Sequence, residues 1–215
     1  MDAYTTDELN KLFGAPVFHV PADEWIKPER HTFETALRWV PLIALYSGMR
    51  LGEVCQLRTE DVRHEGEVYY FDVREGDGQS VKSAAGVRKV PVHSLLIQCG
   101  FLDYLEALPD GQLFPALRPA GPDKKFSWHF SQRWTAFRRS VGVDRKRLAF
   151  HSFRKNFVSA LDEARVPRDD IAALVGHERS FSLAVYSAGK SLVELKRIVE
   201  QVGYPGLDLS HLHTG

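Results

Sequence analysis

Cysteine is scarce in this sequence. Cys55 and Cys99 are the two cysteines among 215 residues, and neither belongs to a CxxC pair, so a disulfide framework or a zinc knuckle is excluded and a reducing compartment fits. Long apolar runs are also missing, because no stretch approaches the roughly 20 consecutive apolar residues that a membrane-spanning helix needs. The chain opens in polar sequence without a signal-peptide pattern. These absences predict a soluble, intracellular protein.

A net charge is missing too. Twenty-eight basic side chains balance 28 acidic ones, although nucleic-acid-binding proteins usually carry net positive charge. The basic residues are concentrated, however, because Arg118 to Lys155 contains 11 lysines and arginines against Asp123 and Asp144. Such a run is either a solvated basic helix or a face that attracts phosphates. As a DNA-binding face it offers these candidate contacts: Lys124, Lys125, Arg133, Arg138, Arg139, Lys146 and Arg147.

Helical periodicity covers most of the chain. Thr5 and Glu8 stand at the spacing of a capping box, so a short helix is expected to begin there. A longer helix is predicted from Thr32 to Tyr46, in which Pro41 should introduce a kink or a restart. Further helices are predicted within residues 50–57, 94–108, 124–142, 151–164, 168–177 and 191–202.

In the middle of the chain, the spacing of apolar residues changes from a helical to a strand-like period. Residues 67–93 contain β-rich runs interrupted at Gly76-Asp77-Gly78 and at Ala84-Ala85-Gly86, a pattern that predicts a three-stranded antiparallel meander. The expected fold class is therefore mainly α with a small three-stranded antiparallel β-sheet, an α+β arrangement. With 44% apolar residues, the chain can build the core of one substantial domain.

A set of polar residues could carry chemistry on a phosphodiester. Each member alone has an ordinary structural explanation, but together they supply what a metal-free attack requires. Two arginines can fork onto phosphate oxygens and neutralise transition-state charge, a lysine can protonate the leaving oxygen, and a histidine beside fixed positive charge can help a tyrosine lose its proton. The candidates are Arg50, Lys82, His151, Arg154, His177 and Tyr186.

The segments that contain these residues occur in a recognisable order. "SGMRLGEVCQL", "KSAAGVRKVPVH", "HSFRKNF" and "LVGHERSFSLAVYS" resemble, in sequence and spacing, the motifs of the tyrosine recombinases, the phage-integrase family. The resemblance runs from about Thr6 to Leu209. Five short motifs are jointly specific, namely Arg-x-x-Glu, Lys…Arg-x-Val-Pro, His-x-x-Arg, Val-Gly-His and a tyrosine nine positions beyond that histidine.

The resemblance implies a role for each candidate at the scissile phosphate. Arg50 and Arg154 would clamp the phosphate, and Lys82 would act as general acid toward the 5′ oxygen. His151 would assist proton transfer, and His177 would donate a hydrogen bond to a phosphate oxygen.

The nucleophile in this scheme is Tyr186, which would form a 3′-phosphotyrosine and release a 5′ hydroxyl. Glu53 resembles the family's acidic residue that orients the basic groups of the active site. Arg88 stands where the family often has an arginine, but a strand residue at this position could equally be structural, so it is left out of the predicted set.

The same resemblance implies the partners and the domain organisation. The expected partners are a double-stranded DNA attachment site, as in prophage integration and excision, and further copies of the chain in a tetramer on DNA, with no membrane, metal or small-molecule cofactor. A bacterial cytoplasmic location, at the nucleoid during recombination, is expected. Residues 1–215 would form one catalytic domain with a core at about 6–202 and an extended tail at 203–215, without the family's usual N-terminal DNA-clamping domain.

Parts of the sequence also suggest three other functions. A metallohydrolase is disfavoured because "HERSF" and "HEGEV" both lack the second histidine of HExxH. A DNA-binding relative without catalysis would keep the fold and need not keep every catalytic side chain. A type IB topoisomerase would share the same residues and the same attack, but would relax DNA as a monomer.

Overall fold

The structure is a computed structural model that describes residues 1–21, 24, 27, 32–76, 78–81, 83–177 and 190–214. The helices assigned within these residues are α1 (Thr6–Phe13), α2 (Phe33–Ser47), α3 (Leu51–Cys55), α4 (Ser94–Gln98), α5 (Phe101–Glu106), α6 (Ser127–Ser140), α7 (Ser152–Glu163), α8 (Arg168–Val175) and α9 (Leu192–Val199). The strands are β1 (Val62–Glu65), β2 (Val68–Val73) and β3 (Arg88–Pro91). This mainly helical fold with one small antiparallel sheet confirms the predicted fold class.

Helix α1 begins at the predicted capping box. The Thr5 hydroxyl accepts a hydrogen bond from the Glu8 N–H at 3.2 Å, and the Glu8 carboxylate accepts one from the Thr5 N–H at 2.9 Å. These reciprocal bonds satisfy backbone donors that a helix start otherwise leaves open. Leu9, Leu12 and Phe13 then face the core.

Helix α2 is the central helix of the domain. Every residue from Thr35 to Ser47 is buried, and the helix continues through Pro41, so the restart considered for this position does not occur. It ends at Gly48, whose φ of 64° lies in the left-handed region that favours glycine. Although α2 is largely apolar, neither it nor another helix in the described part of the chain is long and apolar enough to cross a membrane.

The three strands form a single antiparallel sheet in the order β1-β2-β3. Val62 lies opposite Phe71 across the first pair, and Tyr70 lies opposite Pro91 across the second. Strand β3 packs against α8 and α9, so the sheet lies on one side of the helical body.

The predicted boundaries of the strands were wrong, although their number and direction are correct. Strand β1 precedes the segment in which the meander was expected, and it turns into β2 at Gly66. The stretch between Gly76 and Gly86, expected as the middle strand, contributes no strand to the sheet in its described residues. The chain instead leaves the sheet after β2 and returns at β3.

The C-terminal helices form largely where periodicity placed them. Gly100, with a φ of 83°, divides the helix expected at 94–108 into α4 and α5. The other predicted helices α6, α7, α8 and α9 lie within their expected ranges. Helix α2 packs against α7, which brings the first and second halves of the sequence together.

The sequence predicts an extended arm at the C-terminus. In the structure, this C-terminal tail lies against the body of its own domain. The Tyr204 hydroxyl donates to the Leu45 carbonyl at 2.7 Å, and the Thr214 N–H donates to the Gln98 carbonyl at 2.9 Å. Leu212 is 1% exposed. The tail therefore completes the hydrophobic core of the chain that carries it.

Candidate active site

Arg50 lies at the junction between α2 and α3. Its N–H donates to Glu53 Oε2 at 2.9 Å, and its NH1 group lies 2.7 Å from Glu53 Oε1. Its NH2 group donates to the carbonyl of Gly176, just beyond the end of α8, at 3.2 Å. The capping position fixes the arginine backbone, and the two side-chain contacts direct its guanidinium toward the end of α8.

Arg154 lies in α7 and is only 3% exposed. Its NH1 group donates to the Gly48 carbonyl at 2.8 Å, whereas its buried NH2 group has no hydrogen-bond partner among the described residues. Burial, followed by the charges of Arg50 and Arg88, lowers the pKa of Arg154 to about 9. The group is still protonated at neutral pH, so it is a buried cation that forms no ion pair with the described residues and is only partly offset by the charge of Glu53.

Arg88 is a third arginine of this cluster, and sequence reasoning left it out. Its NH2 group lies 2.8 Å from Glu53 Oε2, and its NH1 group lies 3.3 Å from Glu53 Oε1 and 2.7 Å from the Gly86 carbonyl. Its Nε donates to the Leu174 carbonyl at 2.6 Å. Arg88 therefore connects β3, α3 and α8. The motif Lys…Arg-x-Val-Pro contains this arginine, but local sequence does not reveal its contact with Leu174, which is 86 positions away.

Glu53 is the carboxylate that these arginines share. It is 4% exposed, and burial alone would favour its neutral form. Against that burial, the hydrogen bonds and charges of Arg88 and Arg50 hold the pKa of Glu53 below its ordinary value. One negative charge thus stands among three guanidinium groups, and the cluster retains excess positive charge.

His151 and His177 lie beside this cluster and are both exposed. Partial burial, together with the charges of Arg154 and Arg50, lowers the pKa of each imidazole below the ordinary value. The charge of His177 also lowers the pKa of His151, so the two rings are close enough to interact. Both histidines are therefore mainly neutral at pH 7 and can donate or accept a hydrogen bond.

A groove of about 540 Å³ opens beside Arg50. One wall comes from α3, a second from Ser80 and Val81, and a third from the turn that contains Lys124 and Lys125. The groove therefore joins part of the arginine cluster to part of the basic region found in the sequence. The cationic side chains of Arg50, Lys124 and Lys125 line it and can attract an anionic ligand.

Two of the predicted catalytic residues, Lys82 and Tyr186, lie outside the described residues. The structure thus brings together Arg50, His151, Arg154 and His177, with Glu53 beneath them, and leaves the predicted general acid and nucleophile as predictions. Val81, the chain neighbour of Lys82, lines the groove with Arg50.

The predicted DNA-binding residues divide into two groups. Arg138 is 5% exposed, and its NH1 group donates to the Val143 carbonyl at 2.7 Å. The Arg138 guanidinium therefore lies inside the domain, which argues against a contact between this side chain and DNA. The exposed members are Lys124, Lys125, Arg133, Arg139, Lys146 and Arg147.

The fold is a mainly helical domain with a small sheet. Its candidate site is a buried group of arginines whose positive charge is only partly offset by Glu53, with two histidines beside it. The model of the phage integrase family matches residues 25–191, and the chain belongs to this family. That range contains all the predicted catalytic positions, and the match confirms the family resemblance seen in the sequence. A comparison with curated protein sequences gives no match.

Solved structures of recombinases and integrases share this fold. XerH recombinase bound to its difH substrate in a pre-cleavage complex matches with a TM-score of 0.55 and 18% identity, over 88% of this chain and 51% of that one. XerA recombinase matches with a TM-score of 0.53 and 17% identity, over 99% and 61%. The integrase of mycobacterium phage Brujita matches with a TM-score of 0.58 and 15% identity, over 99% and 62%. The chain thus spans between about half and three fifths of these proteins.

Proposed function

We propose that this protein is a tyrosine-type site-specific DNA recombinase, which cleaves and rejoins DNA through a 3′-phosphotyrosine without a metal or cofactor. The observation that carries the proposal is the buried Arg154 guanidinium with its free NH2 group. A buried charge without a partner is costly unless a ligand completes it. The diester phosphate of DNA offers a single negative charge and two non-bridging oxygens that match guanidinium donors.

The arginine cluster would bind the scissile phosphate and stabilise its transition state. Arg154 would donate its unpaired N–H groups to one non-bridging oxygen, and Arg50 would approach from the α3 side. Because Glu53 and Arg88 fix Arg50 before the substrate arrives, little reorganisation is needed when charge develops on the phosphate. His177 would donate to a phosphate oxygen, and neutral His151 would accept or relay a proton near the nucleophile.

The chemical step in this proposal is a transesterification. The Tyr186 oxygen attacks phosphorus and loses its proton, the bond from phosphorus to the 5′ oxygen breaks, and Lys82 protonates that oxygen. The number of phosphoester bonds is unchanged, so the 5′ hydroxyl of the same or another strand can reverse the reaction without an external energy source. Strand exchange rather than hydrolysis is the expected outcome.

The DNA substrate and the assembly are part of the proposal. XerH recombinase has been solved on difH DNA before and after cleavage, which supports a duplex substrate for a chain of the same fold. We assign residues 6–202 as the catalytic core and propose that tetramers form on attachment sites during prophage integration and excision. The reaction would take place at the bacterial nucleoid, in the cytoplasm.

The test is the formation of a covalent protein–DNA adduct. The protein is incubated with nicked duplexes that carry a randomised region of about 30 base pairs, a length of about three helical turns. Adducts are recovered under denaturing conditions and sequenced. Tyr186→Phe should bind the recovered duplex and form no adduct, whereas Tyr69→Phe, a half-buried tyrosine of β2, should react as the wild type does.

Other results would overturn the proposal. DNA binding without an adduct on any duplex indicates a binding protein that does not cut. Relaxation of a plasmid that lacks the selected sequence indicates a type IB topoisomerase. An adduct that persists in Tyr186→Phe removes this tyrosine from the mechanism.

The DNA-binding face can be tested with residues that the structure separates. Lys125 is exposed on the wall of the groove, whereas Arg138 is internal. Lys125→Ala should weaken binding to all sequences alike and reduce the slope of log affinity against log salt by about 0.9, the value for one phosphate contact. Lys190→Ala changes an exposed lysine that pairs with Asp170 and does not line the groove, and it should leave that slope unchanged. An unchanged slope in Lys125→Ala would remove this residue from the DNA face.

A further inference from the structure

The Gln56 side chain makes an unusual pair of hydrogen bonds with the chain between β2 and β3. Its Nε2 donates to the Ser80 carbonyl at 2.9 Å, and its Oε1 accepts from the Ser80 N–H at 3.2 Å. These are the two bonds that a residue of a neighbouring strand exchanges with its opposite residue in an antiparallel pair. One side-chain amide therefore replaces a strand at this point and holds the backbone of Ser80 against the end of α3.

A second amide reinforces this attachment. Gln79 is 9% exposed, and its Nε2 donates to the Gln56 carbonyl at 3.0 Å and to Asp61 Oδ2 at 2.6 Å. Asp61 is fully buried and also accepts from the Arg58 N–H and from Arg74 Nε, both at 2.8 Å. The segment is thus bound to residues 56–61 at Arg74, at Gln79 and at Ser80.

The far side of the same segment is also fixed. Gly86 packs so closely on Val81 that a Cβ on the glycine would lie 2.9 Å from the Val81 Cβ. The Gly86 carbonyl accepts from Arg88, which is itself bound to Glu53. The chain therefore returns to α3 at Gly86, and the described residues on both sides of position 82 are fixed.

We propose that Gln56 is a positioning residue for the cleavage step. By fixing Ser80, it holds the chain two positions before the predicted general acid Lys82 at the wall of the groove that also contains Arg50. A lysine on a flexible four-carbon stem transfers a proton efficiently only if its backbone is fixed relative to the reacting atoms. This inference rests on the proposed function.

Two substrates with different leaving groups can distinguish an effect of Gln56 on proton transfer from a general loss of structure. A duplex selected for adduct formation is synthesised in two forms, with oxygen or with sulfur at the 5′ bridging position of the scissile phosphate. The sulfur leaves as a thiolate, because a thiol is far more acidic than an alcohol, and needs no proton from the enzyme. A defect in the placement of the general acid therefore slows the oxygen substrate and spares the sulfur substrate.

Gln56→Met keeps the length of the side chain and removes both hydrogen bonds to Ser80. We expect single-turnover cleavage of the oxygen substrate to slow by about 10- to 100-fold, and cleavage of the sulfur substrate to stay within a few-fold of wild type. Lys82→Ala should show the same pattern more strongly. Gln201→Met, the same change at an exposed glutamine after α9, should cleave both duplexes normally.

Each alternative result has a distinct meaning. Equal slowing on both duplexes, or wild-type rates on both, overturns the role of Gln56. Absence of any adduct from the wild-type protein overturns the proposed function itself. Thermal melting checks that Gln56→Met is folded, and Gln56→Glu provides a second variant that keeps the acceptor for the Ser80 N–H but loses the donor. Gln56→Glu should show the same dependence on the leaving group, and equal slowing of both duplexes by this variant also counts against the inference.

Discussion

Arg88 and Arg50 both bind the carboxylate of Glu53, and each of them contacts both of its oxygens. The NH2 group of Arg88 lies 2.8 Å from Oε2, and the NH1 group of Arg50 lies 2.7 Å from Oε1. Because Arg88 also donates to the Leu174 carbonyl, this contact joins the sheet, α3 and the end of α8. The position of Arg50 in the active site therefore depends on a strand residue that need not touch DNA.

Removal of Arg88 should destabilise the domain. Arg88→Met leaves Glu53 with a single arginine and leaves two carbonyl groups without their donor, so we expect a loss of about 2–4 kcal/mol in the free energy of unfolding. Arg63→Met removes an exposed ion pair with Asp72 and should cost less than about 1 kcal/mol. Urea denaturation followed by circular dichroism measures both. Equal losses in the two variants would contradict the buried role of Arg88.

Substitution of Arg154, unlike that of Arg88, should change stability little but should abolish the binding of phosphate. Arg154→Met removes a buried cation that forms no ion pair with the described residues, so its free energy of unfolding should lie within about 1 kcal/mol of wild type or above it. Inorganic phosphate should raise the melting temperature of the wild-type protein and of Arg168→Met, an exposed control, but not that of Arg154→Met. An equal phosphate effect on all three proteins would place the anion elsewhere.

Proton uptake should accompany DNA binding. Burial and the charges of Arg154 and Arg50 lower the pKa of both His151 and His177 in the free protein. A bound phosphate would offset those charges and raise each pKa, so the complex takes up protons and affinity increases as the pH falls from about 7.5 to about 6. Calorimetry in buffers of different ionisation enthalpy measures the uptake.

The histidines responsible can be identified by substitution. His177→Gln should reduce the proton uptake, whereas His64→Gln, an exposed change in β1, should not. Uptake that is the same in all three proteins would assign it to other groups.

The tail should behave as part of the core. Leu212 is 1% exposed, so Leu212→Ala should lower the free energy of unfolding by about 2–4 kcal/mol. His213→Ala changes an exposed neighbour and should have an effect within about 0.5 kcal/mol. Similar small effects would mean that the tail is detached from its own domain in solution.

The helices could be predicted because burial and sequence period coincide in them. Leu9, Leu12 and Phe13 show this for α1, and the capping box defines its first turn. The helical periodicity also indicates that Arg138 is buried, which the assignment of this residue to the DNA-binding face did not take into account. This residue follows Phe130 and Trp134 at four-residue intervals, and all three are buried. Position on the apolar stripe of α6 explains why Arg138 is internal although its neighbours are exposed.

The boundaries of the strands were harder to predict from the sequence, for a physical reason. Strand β1 has no apolar alternation, because its burial runs from half-buried Val62 to three exposed residues. The segment around Ser80 was predicted as a strand from its β-rich composition between two turns, but in the structure the Ser80 backbone pairs with the Gln56 side chain. Similarly, the shared role of Arg88 and Glu53 depends on contacts across 35 positions, which local sequence does not reveal.

Gly48 combines three requirements at a single position. Its φ is 64°, an added Cβ would lie 2.5 Å from a carbon of the Phe157 ring, and its carbonyl holds Arg154. Selection for heat resistance and selection for a new target sequence therefore meet the same restriction here, because a side chain larger than hydrogen would disturb folding and, under the proposed function, the binding of phosphate by Arg154. If the codon for Gly48 is randomised, selection should return glycine. Residues that line the groove are better positions for substitution.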